Sequence, residues 1–138
     1  MIICLTGLAG SGKTTYARNN ALDHEEIIDW DIVHKEFDIA DREVAKQIII
    51  DLLEDAVKSD AVTWFVCNMP SKEHQELLDK TEVKYLWLYA TIPDTIHNLI
   101  KRGRYEDIER LDKLYIKNLE LLKQSSKFIN AYNVEIVG

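Results

Sequence analysis

Apolar residues along this chain occur in two kinds of segment, short continuous runs and longer stretches at helical spacing. A continuous run of β-branched, aromatic and aliphatic residues is typical of a strand buried on both faces of a sheet. Three such runs stand out, and two shorter ones complete the set. We therefore predict five strands, at residues 2–5, 25–29, 61–67, 83–89 and 134–137.

The stretches between the runs predict helices, because their apolar residues recur three and four positions apart. Ser71 fits the N-cap of one helix, and Pro93 fits the first turn of another. The predicted helices cover residues 13–22, 32–37, 44–58, 72–80, 93–100 and a long segment from 108 onwards. The apolar face of this last helix is predicted to contain Ile108, Leu111, Leu114, Tyr115, Leu119 and Leu122.

The alternation of strands and helices predicts an α/β fold with a five-stranded parallel sheet and helices on both faces. We expect residues 1–138 to form a single domain, since the chain contains no linker-like stretch. Ligands of such sheets bind outside the carboxyl ends of the strands. The polar residues found there are Thr6 to Thr14, Asp29 and Asp31, Asn68, and Thr91.

The loop after the first strand has the phosphate-binding pattern G-x-x-x-x-G-K-[ST], between a strand and a helix. Its glycines let successive backbone N–H groups point at an anion, and the following helix adds its own free N–H groups. Lys13 is suited to the β- and γ-phosphates, and the Thr14 hydroxyl to Mg²⁺. The predicted ATP-binding residues are Gly7, Leu8, Ala9, Gly10, Ser11, Gly12, Lys13, Thr14 and Thr15.

Composition narrows the class of protein. Hydrophobic residues make up 46% of the chain and charged residues 30%, which is typical of a soluble globular domain. The formal net charge of −7 argues against an extensive nucleic-acid-binding surface. No apolar run is long enough to cross a membrane, and the beginning of the chain does not resemble a signal peptide. Cys4 and Cys67 lie within apolar runs, as expected for reduced, buried thiols of a cytoplasmic protein.

Asp29 and Asp31 follow the second strand and are candidates for a carboxylate beside the γ-phosphate. Such a carboxylate can accept the proton of an acceptor hydroxyl or orient Mg²⁺ and its waters. The alternative is a structural role, in which Asp31 caps the next helix and Asp29 is solvated. We favour Asp31 as the catalytic residue, because the first turn of that helix would point it towards the loop.

Lys101, Arg102 and Arg104 lie at a glycine-containing break between two helices. Arginines held over a phosphoryl group neutralise the charge that develops during its transfer. A solvated basic turn near a helix C-terminus is the alternative interpretation. Beside a phosphate-binding loop, we favour a lid that carries Arg102 and Arg104.

Three further residues, Trp30, His34 and Arg42, are candidates for an acceptor pocket, although a structural or surface role is the favoured interpretation for each. The four histidines of the chain lack the spacing of metal ligands.

With these residues in place, the chain resembles the small P-loop kinases of the polynucleotide-kinase-like group, which includes zeta-toxin. The resemblance implies strand order 2-3-1-4-5, Asp31 as the base, and Arg102 and Arg104 as lid arginines. His34 and Lys35 stand where that group has an acceptor-site Arg. Asn68 stands where many relatives have a carboxylate, so Mg²⁺ would depend on Thr14 and the aspartates of the second strand, possible ligands being Asp29 and Asp31.

The function expected from the sequence is transfer of the γ-phosphoryl group of Mg·ATP to a hydroxyl. The acceptor would be a nucleoside, a nucleotide or a nucleic-acid 5′ end, bound by His34, Lys35, Arg42 and Asn68. Three alternatives stay open: a nucleoside monophosphate kinase, a toxin-like kinase of a nucleotide sugar, and a nucleotide-dependent switch. The sequence leaves the acceptor, the choice between ATP and GTP, and the oligomeric state undecided.

Overall fold

The computed structural model describes residues 1–36, 41–103 and 108–138, apart from the side chains of 34–36 and 108–109. The strands are β1 (Ile2–Gly7), β2 (Glu26–Asp29), β3 (Thr63–Val66), β4 (Val83–Leu88) and β5 (Glu135–Val137). The helices are α1 (Lys13–Asn20), α2 (Trp30–Glu36), α3 (Arg42–Lys58), α4 (Lys72–Leu78), α5 (Ile92–Lys101) and α6 (Ile108–Tyr132).

The five strands form one sheet in the order β2-β3-β1-β4-β5, with every neighbouring pair parallel. This confirms the predicted strand order. β1 lies at the centre of the sheet, with β3 on one side and β4 on the other. The carboxyl ends of β2, β3 and β1 therefore lie side by side, which places the segments after these strands at one edge of the sheet.

Several helices begin at a side chain that accepts a hydrogen bond from the first turn, as N-caps do. The Ser71 hydroxyl accepts from the N–H of His74 at 3.2 Å and begins α4. The Thr91 hydroxyl accepts from the N–H of Asp94 at 3.2 Å and begins α5, with Pro93 in its first turn. The predicted roles of Ser71 and Pro93 are therefore confirmed.

Helices cover both faces of the sheet, as predicted. α1 covers one face, where Ala17 packs with a cluster that includes Leu5 and Val66. The opposite face carries the larger cluster, built on Phe65 of β3 and residues of α3, α4 and α6. The Cys4 and Cys67 thiols are reduced and buried there, and burial, together with a hydrogen bond to Cys67, raises the pKa of Cys4. None of the helices described here has the length and apolar character that crossing a bilayer requires.

The predicted apolar face of α6 is wrong in two places. Tyr115 and Leu122 are 45% and 40% exposed. The buried face of α6 includes Leu114 and Phe128, and between them the polar residue Asn118. The helix is turned so that Asn118 contacts the loop after β1, which leaves Tyr115 and Leu122 on the exposed side.

This orientation of α6 predicts unequal costs for two truncations. Phe128→Ala should lower the free energy of unfolding by about 3–5 kcal/mol, because it leaves a cavity beside Tyr85. Leu122→Ala, on the exposed side, should cost less than about 1 kcal/mol. Urea unfolding of both variants measures the difference, and a larger loss for Leu122→Ala would contradict this orientation.

Candidate active site

The phosphate-binding loop connects the end of β1 to the start of α1, and two of its glycines are in the left-handed region. Gly10 has φ +83° and Gly12 has φ +92°, which side chains other than glycine adopt only with strain. A Cβ atom at Gly10 would also lie 2.7 Å from both Leu99 Cδ1 and the Thr95 carbonyl oxygen, whereas none of the described atoms lies within 4 Å of a Cβ at Gly12. Gly10 is therefore required by close packing as well as by backbone conformation.

The ammonium group of Lys13 is enclosed by three oxygen acceptors. Its Nζ donates to the carbonyl oxygens of Gly7 at 3.2 Å and Leu8 at 2.7 Å, and to Asn68 Oδ1 at 2.9 Å. Burial of this group lowers the pKa of Lys13 to about 8, although the charges of Asp31 and other nearby groups act in the opposite direction. The Lys13 ammonium group is thus held beneath the loop by neutral oxygen acceptors, and an anion would bind it more strongly.

Asp29 is a buried carboxylate that joins β2 to two other elements. It is 3% exposed, and its Oδ2 accepts from the Thr14 hydroxyl at 2.6 Å. Its Oδ1 accepts from the N–H groups of Asp31 at 3.0 Å and Ile32 at 3.4 Å, so Asp29 caps α2. The alternative in which Asp31 caps this helix and Asp29 is solvated is therefore wrong, because Asp31 lies inside the first turn and Asp29 is buried.

Eight of the predicted site residues line one polar cleft at the edge of the sheet. Loop residues and α1 form one side, the segments after β2 and β3 form another, and the end of α5 completes it. The lining includes Gly12, Lys13, Thr14, Asp31, Asn68 and Arg102. Gly10 and Asp29 also contribute, whereas Thr15 is exposed.

A second cavity, of about 510 Å³, adjoins this cleft. The two share Trp30, Asp31, Cys67 and Asn68. Besides Glu43 and several uncharged residues, the remainder of the second cavity is lined by three basic side chains and a buried histidine. These are Arg42, Lys46, Lys117 and His74.

Two of the four predicted acceptor residues line this cavity, and the side chains of the other two lie outside the described residues. Arg42 and Asn68 both line it. The backbones of His34 and Lys35 belong to α2, and their side chains fall outside the described residues, as does Arg104 entirely.

Sequence reasoning missed residues on α4, α5 and α6. His74 is 2% exposed and lies edge-on to the rings of Trp30 and Phe65, at 6.0 and 5.5 Å between centroids. Asn98 and Asn118 hold the phosphate-binding loop through its backbone. A polar residue within the buried stripe of a long helix was the available indication for Asn118.

The oxygen atoms of this cleft fit a magnesium nucleotide. Mg²⁺ prefers oxygen ligands and is usually held by one or two carboxylates together with phosphates. The Thr14 hydroxyl and the Asp29 carboxylate already lie together, with Asp31 lining the same cleft. In the described part of the chain, no group of three or more His, Cys, Asp or Glu residues could hold a metal alone. The Ser11 hydroxyl is buried with no hydrogen-bond partner among the described residues, which suits a loop that receives an anion.

Comparison with known proteins places the chain by its fold. No family model and no curated protein matches the sequence. A shikimate kinase from Acinetobacter baumannii, in complex with shikimate, matches with TM-score 0.68 and 18% identity over 99% of this chain and 82% of its own. A gluconokinase from Sinorhizobium meliloti 1021 matches with TM-score 0.56 and 14% identity over 86% and 73%.

A chain of the Pnkp1/Rnl/Hen1 RNA repair complex also matches, with TM-score 0.67 and 15% identity over 91% of this chain. The matched region spans 45% of that longer chain. The solved structures confirm the P-loop kinase fold predicted from the sequence. At these identities the likeness concerns the fold alone.

The pKa of Lys13 predicts proton uptake when a nucleotide binds at alkaline pH. The lysine has a pKa of about 8 in the free protein, and a triphosphate beside it would favour the charged form. Binding of Mg·ATP should therefore take up about one proton at pH 9 and much less at pH 7. Calorimetric titrations in buffers of different ionisation enthalpy measure this number, with Lys13→Met as the control. Equal proton uptake at both pH values would contradict the assignment of this uptake to Lys13.

Proposed function

We propose that this protein is an ATP-dependent kinase, a single P-loop kinase domain that transfers the γ-phosphoryl group of Mg·ATP to a hydroxyl group. The proposed acceptor is a nucleoside, a nucleotide or a nucleic-acid 5′ end. The P-loop kinase fold and the assembled phosphate cleft support the donor half of this reaction.

One observation carries the proposal: Asp31 lines both the phosphate cleft and the adjoining cavity. A carboxylate at this junction can contact an acceptor hydroxyl on one side and the transferred phosphoryl group on the other. Asp29 is less suited to this role, because it lines the phosphate cleft but not the adjoining cavity. This supports Asp31 as the base and Asp29 as the residue that orients Thr14.

The donor would bind in the phosphate cleft. Backbone N–H groups of the loop and of the start of α1 would face the β- and γ-phosphates. Lys13 would leave its carbonyl and Asn68 acceptors for a phosphate oxygen, a stronger partner than a neutral oxygen. Mg²⁺, held by Thr14 and the nearby carboxylates, would neutralise phosphate charge.

The transfer step requires an in-line arrangement of the two oxygens around the γ-phosphorus. A bond forms from the acceptor oxygen to that phosphorus as the bond to the β–γ bridging oxygen breaks, and the bridging oxygen leaves with ADP. The acceptor proton passes to Asp31 and then to solvent. Arg102, at the end of α5, lines the same cleft and would neutralise charge in the transition state. Arg104 stays a prediction, as the second lid arginine.

The second cavity supports an acceptor that carries a ring and an anionic group. Trp30 offers an aromatic surface there, and Arg42 and Lys117 offer cations. Lys46 also lines the cavity but is paired with Glu73 at 2.9 Å. These features fit a nucleoside phosphate or a nucleic-acid end better than a neutral polyol.

The same basic residues favour a second candidate, a nucleoside monophosphate kinase, in which the acceptor is a phosphate oxygen. That reaction needs no base, because the acceptor is already ionised. The two candidates therefore differ in how strongly they depend on Asp31.

Replacing Asp31 tests the proposal directly. Asp31→Asn should reduce the rate of transfer to a hydroxyl acceptor by about 10²- to 10⁴-fold, because the amide cannot accept the proton. The Kd for Mg·ATP should change far less than the rate of transfer, since the loop, Lys13, Thr14 and Asp29 remain. Single-turnover transfer of labelled γ-phosphate and calorimetric ATP binding measure the two effects.

Asp23→Asn, an exposed carboxylate that lines neither cavity, makes the same change of charge and is the matched control. Wild-type transfer to a hydroxyl by Asp31→Asn would refute the proposal. Retained activity of this variant on a nucleoside monophosphate alone would establish the second candidate instead.

Arg102 gives an independent test against its neighbour Lys101. Arg102→Ala should lower kcat by about a hundredfold or more, because a cation facing the transferred phosphoryl group is lost. Lys101→Ala removes an equally exposed charge that does not line the cleft, and its kcat should stay within about twofold. Steady-state kinetics of the two variants measure the contrast. Equal effects of both substitutions would contradict a catalytic role for Arg102.

A further inference from the structure

Asn118 forms an unusual contact with the phosphate-binding loop. Its Oδ1 accepts from the N–H of Ala9 at 3.1 Å, and its Nδ2 donates to the carbonyl oxygen of the same residue at 3.1 Å. One side chain of α6 thus satisfies both backbone groups of a residue 109 positions earlier in the chain. Asn118 is fully buried, so no water replaces these bonds.

The contact belongs to a larger arrangement in which α5 and α6 hold Ala9 and Gly10, in the middle of the loop. Asn118 Nδ2 also donates to the Thr95 hydroxyl of α5 at 3.1 Å. Asn98, from α5, donates to the carbonyl oxygen of Gly10 at 3.0 Å. The absence of a side chain at Gly10 lets the loop approach Leu99 and the Thr95 carbonyl. The peptides of Ala9 and Gly10 are therefore fixed from outside the loop.

The residues on either side of Ala9 and Gly10 are held differently. Lys13 binds the carbonyl oxygens of Gly7 and Leu8 from beneath, and the N–H of Ser11 closes a turn onto Leu8 at 3.1 Å. These bonds involve groups that a nucleotide would engage or displace. The contacts of Asn118 do not involve such groups, because Ala9 does not line the phosphate cleft. Asn118 can hold the loop both with and without a ligand.

We propose that Asn118 is the positioning residue of the phosphate-binding loop, and that it fixes the Ala9 peptide so that the N–H groups after it face the nucleotide. The nucleotide in this statement rests on the proposed function. A loop that is already ordered loses less conformational entropy when the nucleotide binds. We therefore expect Asn118 to increase the affinity for the nucleotide donor. Asn118 acts through the backbone and touches neither substrate.

Three variants separate positioning from simple support of the fold. Asn118→Leu removes all three side-chain bonds, and Asn118→Asp keeps the shape and the bond to the Ala9 N–H but loses the donors. Thr95→Val is the matched control, because it removes the bond from Asn118 to α5 and leaves the Ala9 pair intact. Thr95 is as fully buried as Asn118, so loss of its hydroxyl group also tests the effect of disturbing this part of the core.

Two measurements are made on each folded variant. Amide hydrogen exchange by NMR reports protection of the Ala9 N–H, and calorimetry reports the Kd for Mg·ATP. We expect loss of Ala9 protection and a Kd raised by about tenfold or more in Asn118→Leu, with a smaller rise in Asn118→Asp. Thr95→Val should keep the Ala9 protection and a Kd within about twofold of wild type. We expect this even if its unfolding midpoint falls as far as that of Asn118→Leu.

Wild-type ATP affinity in both Asn118 variants would overturn the inference. An equal loss of affinity in Thr95→Val would also overturn it, because the role would then be general support of the core. If Asn118→Leu does not fold, the comparison of Asn118→Asp with Thr95→Val decides the question alone. Failure of the proposed function is seen separately, in a wild-type protein that binds no Mg·ATP.

Discussion

The buried ammonium group of Lys13 is the feature on which the active site depends. Removing a cation from water is costly unless oxygen acceptors replace the lost hydration. Here Gly7, Leu8 and Asn68 supply those acceptors, and their positions require that β1, β3 and the loop come together as they do. The cost that remains appears as the lowered pKa of Lys13. A bound triphosphate would offset this desolvation cost, so we expect the donor to stabilise the charged form of Lys13.

Two carboxylates near this cation lie at the end of β2 or just after it and make different contacts. Asp29, at the end of β2, caps α2 and accepts a hydrogen bond from the Thr14 hydroxyl, so a single carboxylate joins α1 to α2. Asp31, two residues later, opens onto both the cleft and the second cavity. The loop itself is held from beneath by Lys13 and from outside by Asn118. The phosphate cleft and the second cavity thus meet at Asp31.

The fold and the phosphate-binding loop could be predicted from the sequence because their determinants are local. Continuous apolar runs specify buried strands, and the glycine pattern before Lys13 specifies an anion-binding loop. The second cavity and the hydrogen bonds of Asn118 depend on contacts between distant segments, which no local pattern contains. Asn118 is a polar residue on the buried face of α6, and its partner Ala9 lies 109 positions earlier in the chain. Tyr115 and Leu122 were misassigned to the buried face for the same reason.

The central claim is that the two cavities are the donor and acceptor halves of one kinase site. Incubating the wild-type protein with γ-labelled Mg·ATP and a panel of acceptors tests it most directly. The panel contains 5′-hydroxyl DNA and RNA, nucleosides, nucleoside monophosphates and sugar nucleotides. The account predicts label on the hydroxyl of a nucleoside, a nucleotide or a nucleic-acid end. Label recovered only as inorganic phosphate, with none on any acceptor, would contradict it.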